Sequence, residues 1–330
     1  MTTLVTGANG HIGENLVRAL VERGERVRAL IGPRAYPDPL DGLDVEAMEG
    51  DVRDPASLWR AVEGCERVYH LASHVSIRDN DRQRLYEVNV LGVRNVMQAC
   101  LAAGVRRVVH TSSIEAVGKD PNGDASDEDT PSNPFEPLLD YEVSKVHGEL
   151  EALRAVVRGL DVVIVNPAAV VGPHDYRPSS IGQAIVDFAH GRIPAYIGGA
   201  FDFVPVRDVV QGHLLAMELG RCGERYLLCG QVVTLDQVFA WMAEDVGRPK
   251  PPLRIPAPVM VPVAIVGDAV RRAVAPERSP RLTRGSIRVL TSGKHGSNAK
   301  ARRELGLTPT PVREAFREAA AHFRARGLID

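Results

Sequence analysis

Cysteine is scarce: Cys65, Cys100, Cys222 and Cys229 are scattered through 330 residues and form no C-x-x-C pair. Four dispersed thiols in so long a chain fit a reducing cytoplasm better than a disulfide framework, so a cytoplasmic protein is expected. Charge of one sign is also missing. The 40 Lys and Arg stand against 42 Asp and Glu, a net charge of −2. That leaves no electrostatic footprint for nucleic acid or an anionic membrane, and neither partner is expected. Apolar runs are short. "VMVPVAIVG", Val259 to Gly267, falls far below the ~20 residues a membrane span needs. No basic segment followed by a long apolar stretch opens the chain, so no signal peptide is expected. The ten histidines lack metal-ligand spacing, and no metal site is expected. Low-complexity tracts and internal repeats are absent as well.

What is present is an alternation. "TTLVT", "RVRALI", "DVEAMEG", "RVYHLA", "RRVVHTSS" and "DVVIVNP" read as short apolar strands. Between them lie helical patterns: "HIGENLVRALVERG", "DPASLWRAVEG" with Asp54 as N-cap and Pro55 at the first helical position, "QRLYEVNVLGVRNVMQACLAAG" and "DYEVSKVHGELEALRAVVRG". Strand–helix alternation with apolar strands implies an α/β fold, a doubly wound parallel sheet of Rossmann type. After about Pro173 the rhythm changes to Pro- and Gly-rich stretches with interspersed helices. The expected division is residues 1–172 as a dinucleotide-binding domain and 173–330 as a smaller substrate lobe, with some of its segments returning to the sheet.

Gly7, Gly10 and Gly13 follow the first strand and open the first helix. In that context the loop backbone can approach a pyrophosphate, and the helix N-terminus offers free N–H groups and partial positive charge. The spacing GxxGxxG is one residue longer than GxGxxG. Downstream, "HTSS" ends the fifth strand at Thr111, Ser112 and Ser113, and "YEVSK" places Tyr141 and Lys145 one turn apart on a helix face.

These residues, with "TGANGHIG", "GDVRDPASL", "VYHLAS", "NVLGVRNV" and "NPAAVVGP", resemble the extended short-chain dehydrogenase/reductases. Within them the chain is similar to the NAD-dependent epimerase/dehydratase family, with a dihydroflavonol-4-reductase-like and hopanoid-associated sugar-epimerase-like flavour. The resemblance covers Thr6 to Pro173 and, less specifically, "GERYLLCG" and "KARRELGLTPTPVREAF". It implies an oxidoreductase that moves a hydride between nicotinamide and a ketone or secondary alcohol of a small or medium organic substrate. Tyr141 would exchange the proton, Lys145 would lower the Tyr141 pKa and hold the ribose, and Ser113 would hold the substrate oxygen. Ser112 is read as a strand-end cap. Gly7, Asn9, Gly10, His11, Ile12 and Gly13 would surround the cofactor, Asp51 and Val52 its adenine, and Leu71, Ala72, Ser73 and Pro167 its cleft. His11 itself is read as a solvent-facing filler. Asn89 either supports the site or packs its helix.

The second strand ends at Gly32, where NAD-preferring relatives usually place an acid, and Arg34 follows. NADP is therefore expected, with Arg34 on the 2′-phosphate, and NAD as the alternative. Substrate contacts are expected from Ser113, Asn166, Tyr176, Arg177, Tyr196, Phe201 and Phe203; the alternative reading is that these aromatics pack the second lobe and Arg177 is solvated. Two further readings stay open: a nucleotide-sugar epimerase or dehydratase retaining NAD, and a non-catalytic dinucleotide sensor. A homodimer is a possible assembly.

Overall fold

Strand β1 (Thr2–Thr6) lies inside a seven-stranded sheet because both of its faces are apolar: Leu4 packs into one core and Val5 into the other. The computed structural model describes residues 2–32, 39–76, 81–132, 139–256, 259, 288 and 292–330. Around β1 stand β2 (Arg26–Ile31), β3 (Val45–Glu49), β4 (Cys65–His70), β5 (Arg107–Thr111), β6 (Val162–Pro167) and β10 (Arg225–Leu228), in the order β10-β6-β5-β4-β1-β2-β3. Every pair is parallel. Strand β6 repeats the two-residue alternation of β1, with Val162 and Ile164 on one face and Val163 and Val165 on the other.

Helices cover both faces. On one side lie α1 (His11–Glu22) and α7 (Val206–Leu219), which bury Leu16, Leu20, Val209 and Met217. On the other lie α2 (Pro55–Val62), α4 (Gly92–Ala103) and α5 (Asp140–Val157), which bury Leu58, Val96, Met97 and Ala152. Each such large side chain contributes about 1.5–3 kcal/mol by leaving water. Asp54 caps α2 as its sequence predicts, accepting from the Ala56 N–H at 3.0 Å. The single long helix expected from Gln83 is divided. A short α3 (Arg82–Tyr86) runs into a π turn, Glu87–Leu91, before α4 begins. The wider turn carries Asn89, which is 2% exposed.

Strand β10 comes from beyond residue 173 yet pairs with β6, so the sheet draws on both parts of the chain. Strand β7 (Ala169–Val171), just before residue 173, joins β9 (Ala200–Pro205) and β11 (Gln231–Thr234) of the second lobe in a three-stranded sheet, and β8 (Ala195–Ile197) pairs with β12 (Leu253–Ile255). The core of that lobe joins α6 (Ser180–Ala189), α8 (Leu235–Val246) and α9 (Val312–Ala325) through Phe188, Phe239, Phe316 and Phe323.

The start of α1 is pressed against its own loop. A Cβ on Gly13 would stand 2.1 Å from the Gly7 carbonyl oxygen, a backbone atom that cannot swing aside. Gly13→Ala is expected to destabilise the fold by about 1–3 kcal/mol. Urea denaturation measures it, and an unchanged midpoint would show that α1 moves freely on the sheet.

Candidate active site

The ends of β1, β4, β5 and β6 converge on one edge, where the sheet order reverses between β1 and β4 and open α/β sheets bind ligands. At β1 the glycine loop turns with Gly7 at φ +68°, and a Cβ there would meet the Ala72 nitrogen at 2.7 Å. The loops after β1 and β4 therefore touch backbone to backbone. Thr6 reinforces the contact: its Oγ1 accepts from the Ala72 N–H at 3.2 Å and lies 2.7 Å from His70 Nδ1. Gly10 caps α1 with no side chain on the first-turn N–H groups. A glycine-walled turn facing an uncapped helix N-terminus fits the pyrophosphate of a dinucleotide, so Gly7, Gly10, His11, Ile12 and Gly13 stand where their backbones can hold one.

Asn89 orders the neighbouring wall. Its Oδ1 accepts from Ser73 Oγ (3.1 Å) and the His74 N–H (2.8 Å), and its Nδ2 donates to the His74 carbonyl (2.9 Å) and Ser144 Oγ (3.0 Å). All four of its hydrogen-bonding positions are used, and they tie the loop holding Leu71, Ala72 and Ser73 to α5. Asp51 holds Arg53 with both carboxylate oxygens, and that contact keeps its acid below the usual range. Val52 is buried under Gly92. Arg34 lies outside the described residues. Among the described residues, nothing stands within 4 Å of a Cβ placed on Gly32.

On the far side of the edge, Ser113 after β5 and Tyr141 at the start of α5 lie close enough for the serine hydroxyl to act on the phenol, and Lys145 lies one turn beyond Tyr141 on α5. Burial pushes the Tyr141 phenol up, against the Ser113 hydrogen bond that favours its phenolate. Lys145 is 5% exposed and donates to the Thr111 carbonyl at 3.2 Å. Burial pushes its ammonium down to about 8, and Glu149 opposes that shift. His70 and His110 stack at 5.2 Å between ring centroids. Burial first, then Lys145, drives His70 down to about 3, and burial drives His110 well below its ordinary value. His213, pushed by burial to about 4, approaches Thr111 Oγ1 at 2.7 Å. These rings are neutral at pH 7. Among the described residues no group of three or more His, Cys, Asp or Glu side chains is placed to hold a metal.

Several expected contacts stand elsewhere. Asn166 is fully buried rather than open to a ligand: its Nδ2 donates to the Ser113 carbonyl (2.9 Å) and to Glu149 Oε1 (2.6 Å). Ser112 Oγ, read as a cap, is buried with no partner. His11 is not a solvent-facing filler, since its Nε2 lies 3.1 Å from the Pro173 carbonyl oxygen. Tyr196 donates to Asp236 at 2.5 Å and packs on Phe239, while Phe203 is 4% exposed against Phe316. Phe201 packs beside Phe203. Tyr196 and Phe203 lie in the core of the second lobe, and Phe201 packs against it partly buried. Arg177 is exposed.

Tyr176 belongs to a strap between α1 and the second lobe. Arg326 stacks over its ring at 4.6 Å, and His174 and His322 pack beside it. Asn15 joins His11 on the Pro173 carbonyl, at 3.1 Å. Beneath them Glu14 is 1% exposed, with Oε1 taking Arg18 Nε at 2.9 Å and Oε2 without a partner. The glutamate signal in the sequence was only a charged residue among helix-packing positions. The Glu149 signal was present but unread, four residues past Lys145 on the same face.

The chain matches the NAD dependent epimerase/dehydratase family over residues 3–229. It is 55% identical over 329 residues to sterol demethylase protein B of Methylococcus capsulatus, covering 100% of both chains. It is 36% identical over 330 residues to a Synechocystis sp. protein named as a candidate dihydroflavonol 4-reductase, covering 98% of this chain and 95% of that one. The crystal structure of a nucleoside-diphosphate-sugar epimerase from Pseudomonas aeruginosa superposes with a TM-score of 0.82 at 25% identity, covering 100% of this chain and 99% of the other.

Burial pushes the Glu14 acid from 4.5 up to about 7, against Arg18 and Arg326. The folded state thus holds this proton more tightly than the unfolded chain. Its stabilising contribution is complete below about 4.5 and is lost as pH rises through about 7. Glu14→Gln keeps an acceptor for Arg18 and cannot ionise. It is expected to gain on the order of 2 kcal/mol over the wild type at pH 8 and little at pH 4. Denaturant melts at the two pH values measure this, and an equal difference at both would contradict it.

Proposed function

The chain belongs to the NAD dependent epimerase/dehydratase family, and on that premise we propose that it interconverts a secondary alcohol and a ketone on a hydrophobic, ring-bearing substrate of the sterol class. The observation that carries the reading is the meeting of Ser113, Tyr141 and buried Lys145, which donates to the Thr111 carbonyl, at the carboxyl edge of the sheet beside the glycine loop. The substrate class is supported by the full-length likeness to the sterol demethylase protein B.

A nicotinamide dinucleotide held by the glycine loop supplies or accepts the hydride. The protein's own residues handle the proton and the oxygen. Tyr141 donates its hydroxyl proton to the ketone oxygen in reduction and takes it back from the alcohol in oxidation. Ser113 hydrogen-bonds that oxygen. A free tyrosine titrates near ~10, so work at neutral pH asks for a shift of about three units, or ~4 kcal/mol. The Lys145 ammonium supplies part of it by favouring the phenolate, and it holds the ribose. With no carboxylate at Gly32 and Arg34 two residues on, NADP is the preferred cofactor. A homodimer fits the exposed apolar side chains of Tyr86, Leu150 and Val157, which border a groove of about 500 Å³.

A second reading, a sugar-nucleotide epimerase retaining NAD, is favoured by the likeness to the Pseudomonas aeruginosa structure. Nucleotide is released from the purified protein, and NADPH oxidation is then followed against steroid ketones. Turnover supports the oxidoreductase. Retained NAD without net oxidation supports the epimerase, and binding without either supports a sensor.

Tyr141→Phe is expected to lower kcat by about 10²–10⁴-fold while leaving the cofactor Kd nearly unchanged. A variant retaining most of kcat removes Tyr141 from proton transfer. NADPH is expected to bind more tightly than NADH, and Arg34→Ala to weaken NADPH by about 1–3 kcal/mol with little effect on NADH. Fluorescence titration with both cofactors reads this, and equal wild-type affinities would reverse the assignment.

A further inference from the structure

We propose that Glu149 is a positioning residue: the buried counterion that keeps Lys145 charged and, through Asn166, fixes Ser113. Catalytic meaning comes to this from the oxidoreductase reading above, but the geometry stands without it. Tyr141, Lys145 and Glu149 recur every four residues on α5 and so share one helix face. Glu149 is 3% exposed. A carboxylate in such a position loses several kcal/mol of hydration unless partners replace it.

Its partners explain the position only in part. Asn166 Nδ2 donates to Oε1 at 2.6 Å, and Arg225 Nη1 lies 3.5 Å from Oε2. The amide would be equally satisfied by a glutamine. The arginine reaches in from a side chain that is 30% exposed, beside a pocket of about 150 Å³ that Glu149 also lines. A carboxylate rather than an amide is accounted for by the buried ammonium one turn back.

Among the described residues, the other groups near that ammonium do not balance it. From β4 and β5 come His70 and His110, both neutral through burial. His213 on α7 is neutral and engaged with Thr111. Tyr141 keeps its proton. Glu115, which faces Tyr141, is paired with Lys294 at 3.3 Å. Glu142 is turned to the Leu139 N–H at 2.5 Å and towards Arg288 at 3.9 Å. Glu149, buried one turn on along the same face of α5, is the carboxylate set beside Lys145, acting on the ammonium through space rather than by a direct ion pair.

The same carboxylate reaches the serine. Asn166 Nδ2 bridges Glu149 and the Ser113 carbonyl, which it meets at 2.9 Å. Charge on α5, the end of β6 and the end of β5 are thereby held in one buried chain of contacts. Loss of the acid would free the ammonium to shed its proton and release the serine's backbone together.

The test reads Lys145 directly. The full chain has five lysines, Lys119, Lys145, Lys250, Lys294 and Lys300, so a ¹³Cε-lysine NMR titration is resolvable, with Lys145→Met assigning the resonance. The expected wild-type midpoint is about 8. Glu149→Gln, which keeps an acceptor for Asn166, is expected to lower that midpoint by about one unit or more. An unmoved midpoint overturns the proposal. Where Glu149→Gln does not fold, Arg225→Gln decides: freeing the carboxylate from its arginine is expected to raise the midpoint, and an unmoved value overturns the proposal. Neither measurement needs substrate or cofactor, so each can fail while the oxidoreductase reading stands. Under that reading, the basic limb of the carbonyl-reducing rate should shift to lower pH in Glu149→Gln by the same amount as the Lys145 midpoint. A uniform loss of rate with no shift of the limb would assign Glu149 a merely structural role and overturn the proposal.

Discussion

A cation buried at the carboxyl edge of the sheet constrains everything around it. Lys145 is 5% exposed, and an ammonium out of water is tolerated only where dipoles and charge replace its hydration. The Thr111 carbonyl supplies a dipole from the end of β5, and α5 must lie close enough for that contact to form. The surrounding rings cannot help, because burial disfavours their charged forms and the neighbouring Lys145 cation adds to that cost. Their neutrality is therefore part of the same solution. His70 and His110 fill polar space beneath the lysine without adding charge.

The opposite side of the edge is built from backbone. Gly7 and Ala72 approach too closely for any side chain to intervene. Thr6 then spans β1 and β4 with its hydroxyl. Asn89 is delivered into this region by a π turn rather than a regular helix, and its four hydrogen bonds extend the loop's order to Ser144 on α5. Ser144 lies next to Lys145 in sequence, so the cofactor-facing loop and the buried cation are mechanically joined through a single asparagine. Free main-chain N–H groups at the start of α1 and a rigid wall opposite give a dinucleotide little to reorganise when it binds.

Local patterns were legible in the sequence and distant partnerships were not. The glycines follow their strand within a few residues, and Tyr141 and Lys145 lie within one helical turn, so spacing alone places them. The Asp54 cap and the apolar alternation of β1 and β6 are equally local. Glu149, Asn166 and Ser113 come from α5, β6 and the end of β5, and no periodicity announces that they meet. A π turn shifts the register of a helix by too little to disturb an apolar pattern, which is why the helix from Gln83 reads as unbroken. Aromatic residues were the least readable. Tyr196, Phe201 and Phe203 have the composition of a ligand wall, but rings of the same composition also pack a core, here beside Ile185, Val238 and Phe316.

The strap between α1 and the second lobe follows from this division of labour. His11 and Asn15 lie within hydrogen-bonding distance of one carbonyl, that of Pro173. Glu14 lies 3.8 Å from His174 Nδ1, and Tyr176 is sandwiched towards Arg326. An apolar seam of the same volume would be as stable or more so, since buried polar groups with unfilled hydrogen-bonding positions are costly. What the polar seam provides is direction: each contact admits one alignment of α1 against the lobe, whereas an apolar seam admits sliding. Under the proposed function, the N-terminus of α1 faces the dinucleotide and the lobe beyond Pro173 lies over its reactive face. On that reading, fixing the angle between them fixes the distance between cofactor and substrate lobe, on which proton transfer from Tyr141 would depend.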